Sequence, residues 1–225
     1  GEDYVADVLL RVEEALTQNL PANQLPSHPS HTEFPGEIPS NASRVSRLVT
    51  IDGNQSGLPS NFGYSQPRSP LRMSTGLYAP PGEVVSISVN DSLVDQGVWI
   101  LVGAHSDNLW GKDQLHRFPN IVRNWYVDNS TIDIGNAFGG IIYVNIEAGS
   151  TLGIFDVLIS NVIEAPTYFH NSTDMSEWLL EQRNAPAPWA EIGSQLFILT
   201  VPSDEIRNLE NPDELIIFKS SEYFV

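Results

Sequence analysis

Three consecutive residues, His105, Ser106 and Asp107, bring an imidazole, a hydroxyl and a carboxylate to the end of an apolar run. Those are the groups of a hydrolytic triad. No G-x-S-x-G elbow surrounds Ser106, and a histidine at a strand end ordinarily satisfies local hydrogen bonds, so the expected role of His105 is to fix the loop before Trp110. Gly139 and Gly140 have the freedom to cradle a phosphate, yet neither a P-loop nor a dinucleotide fingerprint encloses them. A bulge or a tight strand entry is expected there. Carboxylates gather at 128–133 and 210–214, where oxygen ligands would suit calcium, but EF-hand spacing is lacking and acidic turns without metal are the expectation. The absence of cysteine excludes disulfides, a thiolate nucleophile and Cys-based zinc or iron–sulfur sites. These residues predict no catalytic group, no metal ligand set and no cofactor within this chain.

Exposed aromatic rings beside carboxylates can grip sugars, because a pyranose face stacks on the ring while acids accept its hydroxyls. Trp110, Trp125, Tyr126 and Trp178 are candidates for such contact. Each is also the kind of residue that fills a sandwich core, and Trp189, framed by Pro186 and Pro188, reads as a turn anchor.

The elements that must position these groups follow from composition. With 16 Gly, 16 Pro and 17% charged residues in 225, the chain suits strands joined by turns. The expected fold is mainly β: an antiparallel β-sandwich with peripheral short helices and an N-terminal amphipathic helix. A net charge of −17 repels nucleic acid and anionic lipid, so no nucleic-acid partner is expected. No apolar run approaches the roughly 18 residues of a membrane span, so no membrane insertion is expected, and no basic segment followed by an apolar one stands at Gly1. Asn-x-Ser/Thr triplets at Asn41, Asn54, Asn90, Asn129 and Asn171 lean towards a secreted, glycosylated protein, with an intracellular one as the alternative.

Residues 1–19 carry Val5, Val8, Leu9, Val12 and Leu16 at helical spacing, with acids mostly opposite. This stripe must be buried, either on its own domain or on a neighbouring copy. Residues 20–44 read as a proline-rich linker or strap, and 45–225 as the sandwich. A strap of that length could deliver the helix to a second chain and build a homo-oligomer or an open polymer. Strands are expected at 45–51, 85–89, 97–104, 120–127, 140–147, 152–160, 163–169 and 196–201. In 140–147, Ile142, Val144 and Ile146 share one face and Tyr143, Asn145 and Glu147 the other, the pattern of a half-buried strand. Short helices fit 174–183, capped by Thr173 or Asp174, and the stretches after Pro202 and Asn211. No repeat of fixed period is present.

The segments TGLYAPPGEVVSISV (75–89), VGAHSDNLW (102–110), NAFGGIIYVNI (136–146), EAPTYF (164–169), NAPAPWAEI (184–192) and ILTVPSDEIRNLENPDEL (198–215) occur in an order that resembles one family. It is that of the enhancin-like, mucin-degrading zinc metallopeptidases and the related TRP-channel-associated factors. The resemblance covers about residues 73–215 and implies the β-sandwich that precedes the catalytic part. There, an H-E-x-x-H helix would supply two zinc ligands and a general base. None of His28, His31, His105, His116 and His170 is followed by Glu, so that motif is not in this chain, and zinc is expected only with a downstream peptidase domain. The resemblance further implies that Gly139, Gly140 and Tyr143 face an ancestral substrate cleft. The expected function is a non-catalytic interaction or structural module that binds protein, glycan or itself. The alternatives are a fragment of an active glycoprotein-directed peptidase and a regulator of a membrane protein.

Overall fold

The computed structural model describes residues 2–56, 69–195 and 197–222; part of the turn-rich stretch 52–72 and Leu196 of the run 196–201 lie outside the described residues. Eleven strands among them form two sheets: β1 (Val45–Asn54), β2 (Leu71–Ala79), β3 (Val85–Ser88), β4 (Val98–Val102), β5 (Arg123–Tyr126), β6 (Thr131–Ile134), β7 (Gly140–Ile146), β8 (Thr151–Glu164), β9 (Thr167–Phe169), β10 (Trp189–Gly193) and β11 (Ile198–Pro202). The larger sheet runs β5-β4-β7-β2-β8-β3-β6, with β1 also on β8, and every pairing in it is antiparallel.

The fourteen-residue strand β8 folds this sheet over on itself. Its first part pairs with β1 and β3, while Ile163 and Glu164 pair with β2. Asn161 stands between them at φ 64°, a left-handed conformation that asparagine tolerates better than branched residues. Its Nδ2 donates to the Val84 carbonyl at 2.7 Å, which holds the corner. Strands that change layer at such a bend make the corners of sandwiches.

Between the layers lie Ile51, Val85, Ile87, Ile100, Val102, Ile142, Val144, Val157 and Ile159, all buried. A second apolar layer, with Tyr78, Leu101, Ile141, Tyr143 and Ile163, covers the opposite face of the β4-β7-β2 layer. It is closed by Ile38 and Ala42 of the proline-rich strap and by Trp189. Burying each such side chain contributes roughly 1.5–3 kcal/mol relative to exposure. The strap is therefore packed: Ala22 and Leu25 are buried, and the Trp189 indole donates to the Pro35 carbonyl at 2.7 Å.

The strand β7 was expected to be half-buried, but the strap and the smaller sheet cover its second face, so Tyr143 is buried as well. Within the predicted 97–104 strand, Trp99 faces solvent. Three strands are absent from the sequence reading. β2 carries Gly76 and a register break, β6 is a four-residue edge strand inside the acidic cluster 128–133, and β10 is hidden among prolines. None shows clean alternation.

The smaller sheet runs β11-β10-β9, with β9 parallel to β10. Around it lie α2 (Met175–Leu180), α3 (Ser203–Ile206) and α4 (Pro212–Glu222). The Asp174 carboxylate accepts from the amides of Ser176 and Glu177 and caps α2. The helix α1 (Glu2–Asn19) precedes the strap. No helix among the described residues is long and apolar enough to cross a membrane.

Candidate functional site

The two sheets meet around one carboxylate. Glu191 on β10 is 1% exposed. Its Oε1 accepts from the Tyr143 hydroxyl on β7 at 2.6 Å, and its Oε2 accepts from the Ser74 hydroxyl on β2. Thr200 on β11 adds a longer contact at 3.4 Å. Burial raises the Glu191 carboxyl above the usual glutamate range, and the three hydroxyls oppose that rise by solvating the anion. The same burial, with the neighbouring carboxylate, raises the Tyr143 phenol so that it stays protonated and donates. This is a polar clasp between sheets; sequence periodicity does not reveal it, because Glu191 sits in a proline-rich stretch read as a turn.

Beside the clasp lies an open groove of about 470 Å³ between β1 and β2 on one side and β9 and α2 on the other. Ser74 and Thr75 line it together with Arg47, Glu164, Thr167, Phe169, Glu177 and Gln182. Arg47 is bound to Glu164 at 2.7 Å and Gln182 to Glu177 at 3.0 Å, so charged and amide groups are held at the rim. The volume falls in the range of small-ligand clefts, roughly 300–1,000 Å³. Hydroxyls, carboxylates, one guanidinium and the Phe169 side chain together suit a neutral, hydroxyl-rich ligand.

The residues singled out from sequence are dispersed. Trp178 is fully buried in the smaller sheet's core and donates to the Leu209 carbonyl at 2.8 Å, so its ring is not open to a ligand. Gly139 and Gly140 are buried, at φ 72° and 150°. A Cβ on Gly140 would lie 2.6 Å from the Gly103 Cα, which makes this a close backbone crossing at the start of β7 and leaves no room for a phosphate. Tyr143 faces the clasp and not a cleft. Trp110 donates to Glu14 of α1 at 2.6 Å under the Arg11 guanidinium, Trp125 lies under that of Arg123 at 4.0 Å, and Tyr126 packs on Trp99. All three are half-buried, and none lines the groove.

His105 sits edge-on between Phe34 and Trp189, with centroids at 4.7 and 4.2 Å. Burial first, and the Arg117 charge second, hold its imidazole down to about 4. It is a packing residue. His170 Nδ1 and the Tyr168 hydroxyl share Asp213 Oδ1 at 2.7 and 2.9 Å. Among the described residues no three His, Cys, Asp or Glu side chains converge, and Asp213 is already held by two neighbours, so the donors present do not fit a zinc ion.

The asparagines of the five triplets are all exposed. Asn54 and Asn90 are engaged in turns: Asn54 Nδ2 donates to Asp52, and Asn90 Oδ1 accepts from the Ser92 amide. The stripe Val5, Val8, Leu9, Val12 and Leu16 is exposed along α1. Burial of that stripe was expected, but the helix is held to the domain by its other face.

Residues 41–160 match the N-terminal domain of M60-like peptidases, and 161–221 match peptidase M60, enhancin and enhancin-like. A TRPM8 channel-associated factor homolog of Xenopus laevis is 39% identical over 143 residues, 64% of this chain and 16% of that protein. Human TRPM8 channel-associated factor 1 is 33% identical over 144 residues, with the same coverages. The chain thus spans about a sixth of the length of these relatives. Among solved structures, a functionally unknown conserved protein from Bacillus anthracis shares the fold with a TM-score of 0.57 at 16% identity, over 80% of this chain and 35% of that one. IMPa from Pseudomonas aeruginosa, solved in complex with an O-glycopeptide, does so with a TM-score of 0.52 at 17% identity, over 87% and 22%. With the first match covering more than half of its residues, this chain belongs to the M60-like N-terminal domain family.

Proposed function

We propose that this chain is a non-catalytic recognition and structural module, whose groove beside the Glu191 clasp takes a hydroxyl-rich ligand of the glycan or glycopeptide class. The observation that carries the reading is the rim itself: Arg47–Glu164 and Gln182–Glu177 are fixed pairs around the Thr75 and Thr167 hydroxyls, which donate to the Ile142 and Ala165 carbonyls and so offer a ligand an acceptor oxygen each. His105 is held in ring packing, His170 by Asp213 and Glu191 by three hydroxyls, which supports a role without peptide cleavage. The likeness in fold to a metallopeptidase bound to an O-glycopeptide supports the ligand class. The exposed triplets, foremost Asn41, Asn129 and Asn171, support a secreted glycoprotein. The relatives named as channel-associated factors support a second reading, a regulator of a membrane protein, in which the triplets carry no glycan.

The test titrates the purified chain with an O-glycopeptide carrying a T-antigen disaccharide and with the same peptide unglycosylated, reading amide shifts and, by mass spectrometry, cleavage. The expected result is shifts at Thr75 and Thr167 with the glycopeptide alone, weakened about tenfold by Arg47→Ala, and intact peptide throughout. Equal response to both peptides, or none to either, would overturn the ligand class. Chelator-sensitive cleavage would overturn the non-catalytic reading.

A further inference from the structure

The helix α1 is mounted the unexpected way round. Its polar face meets the domain: Thr17 is buried, Gln18 Nε2 donates to the Val122 carbonyl at 3.1 Å, and Glu14 accepts from Trp110. Leu10, together with Leu20 just past its end, packs against the core around Phe118 and Phe138. Arg123 donates to the Thr17 and Leu20 carbonyls at 3.3 and 2.7 Å, placing a cation at the helix C-terminus where the dipole favours it. At 3.6 residues per turn, Val5, Val8, Leu9, Val12 and Leu16 lie opposite Leu10 and Thr17. They are 41–59% exposed. An amphipathic helix fixed by its polar side leaves an apolar row of three turns with nothing upon it among the described residues.

The row ends in a socket. Leu16, Leu20, Leu25, Pro26 and His28 line a cavity of about 180 Å³ between the last turns of α1 and the strap, with Glu13 at its edge. It is large enough for one big apolar side chain. We propose that this stripe and socket dock an amphipathic helix of another protein, one with an apolar row at helical spacing, a large apolar anchor for the socket and Lys or Arg on its flanks.

The charge selects that occupant. Glu13 borders the stripe on one side, its exposed carboxylate 3.8 Å from His28 Nε2, while Arg11 on the other is bound to Asp7 at 3.0 Å and stacked on Trp110. The available charge beside the row is thus negative, on a chain of −17. A second copy would bring the same negative charge to the row, and like charges would then face each other. An anionic membrane is opposed by the same charge, since helices that lie on such membranes carry basic flanks.

The test uses the full chain and an 18-residue peptide with leucine at the a and d positions and lysine on the flanks, beside a scrambled peptide of identical composition. Binding is read by fluorescence anisotropy, and the docking face by hydrogen exchange. Saturable binding is expected, with slowed exchange over residues 4–16 and at least tenfold weaker binding of the scrambled peptide. A paired Val8→Ser and Val12→Ser variant, which keeps the charge and is checked for retained helix by circular dichroism, loses at least tenfold. No binding, equal binding of the scrambled peptide, or undiminished binding by the variant overturns the proposal. A dimer in sedimentation that the variant dissolves overturns it in favour of a second copy. Variant-sensitive binding to phosphatidylcholine–phosphatidylserine vesicles overturns it in favour of a membrane. Arg47→Ala leaves the peptide complex unchanged, so this result and that of the groove are separable.

Discussion

The Tyr143 hydroxyl donates to Glu191 Oε1 at 2.6 Å, and this bond crosses from the large sheet to the small one with both residues buried. Removing the hydroxyl takes one solvating donor from a buried carboxylate. Tyr143→Phe is expected to lower unfolding stability by about 1–3 kcal/mol, as for other groups left short of a partner in the interior. Urea titration followed by tryptophan fluorescence checks this, and an unchanged midpoint would show the clasp to be energetically idle.

Two groups, the half-buried His105 and the buried Glu191, pull the pH dependence in opposite directions. The folded His105 titrates at about 4 against an ordinary value of 6.5, so in that window the unfolded chain binds a proton that the folded chain does not. Its contribution to stability is present above 6.5 and lost as pH falls towards 4. Glu191 is raised, so its contribution is present below the usual glutamate value and lost as pH rises through the folded one. His105→Phe is expected to make the slope of stability against pH between 4 and 6.5 less positive, and Glu191→Gln more positive. Urea midpoints at four pH values across the window decide both signs.

Asn161 turns the corner of β8 at φ 64°. Asn161→Ala must hold a Cβ-bearing residue without a polar side chain in the left-handed region and is expected to cost about 1–3 kcal/mol. Asn161→Gly keeps the conformation and loses mainly the bond to Val84, at about 1 kcal/mol. The order alanine worse than glycine, read from thermal midpoints, tests whether the bend is conformational in origin.

Trp178 fills the core of the smaller sheet against Tyr168, with ring centroids 5.6 Å apart. Trp178→Ala is expected to cost about 3–5 kcal/mol. Hydrogen exchange should then accelerate in β10 and β11 before it does in β4 and β7, whose core is separate. Uniform acceleration would mean that the two cores unfold as one.

Strand periodicity showed Val85–Ser88 and Gly140–Ile146 plainly, and the order of motifs announced the family. The strands β2, β6 and β10 escaped because a glycine, an exposed edge and flanking prolines each erase alternation. The groove and the clasp escaped for another reason. Ser74, Tyr143 and Glu191 are separated by tens of residues, and no local pattern marks a hydroxyl that will meet a carboxylate from another sheet.

The amino-acid order alone settled that residues near the N-terminus form a helix with five apolar side chains in a row, since backbone hydrogen bonding and a period of 3.6 are local properties. Which way that row points was decided only by packing. Trp110, Arg123 and the Val122 carbonyl captured the polar side, and specific hydrogen bonds with distant residues outweighed the burial that the stripe by itself would favour.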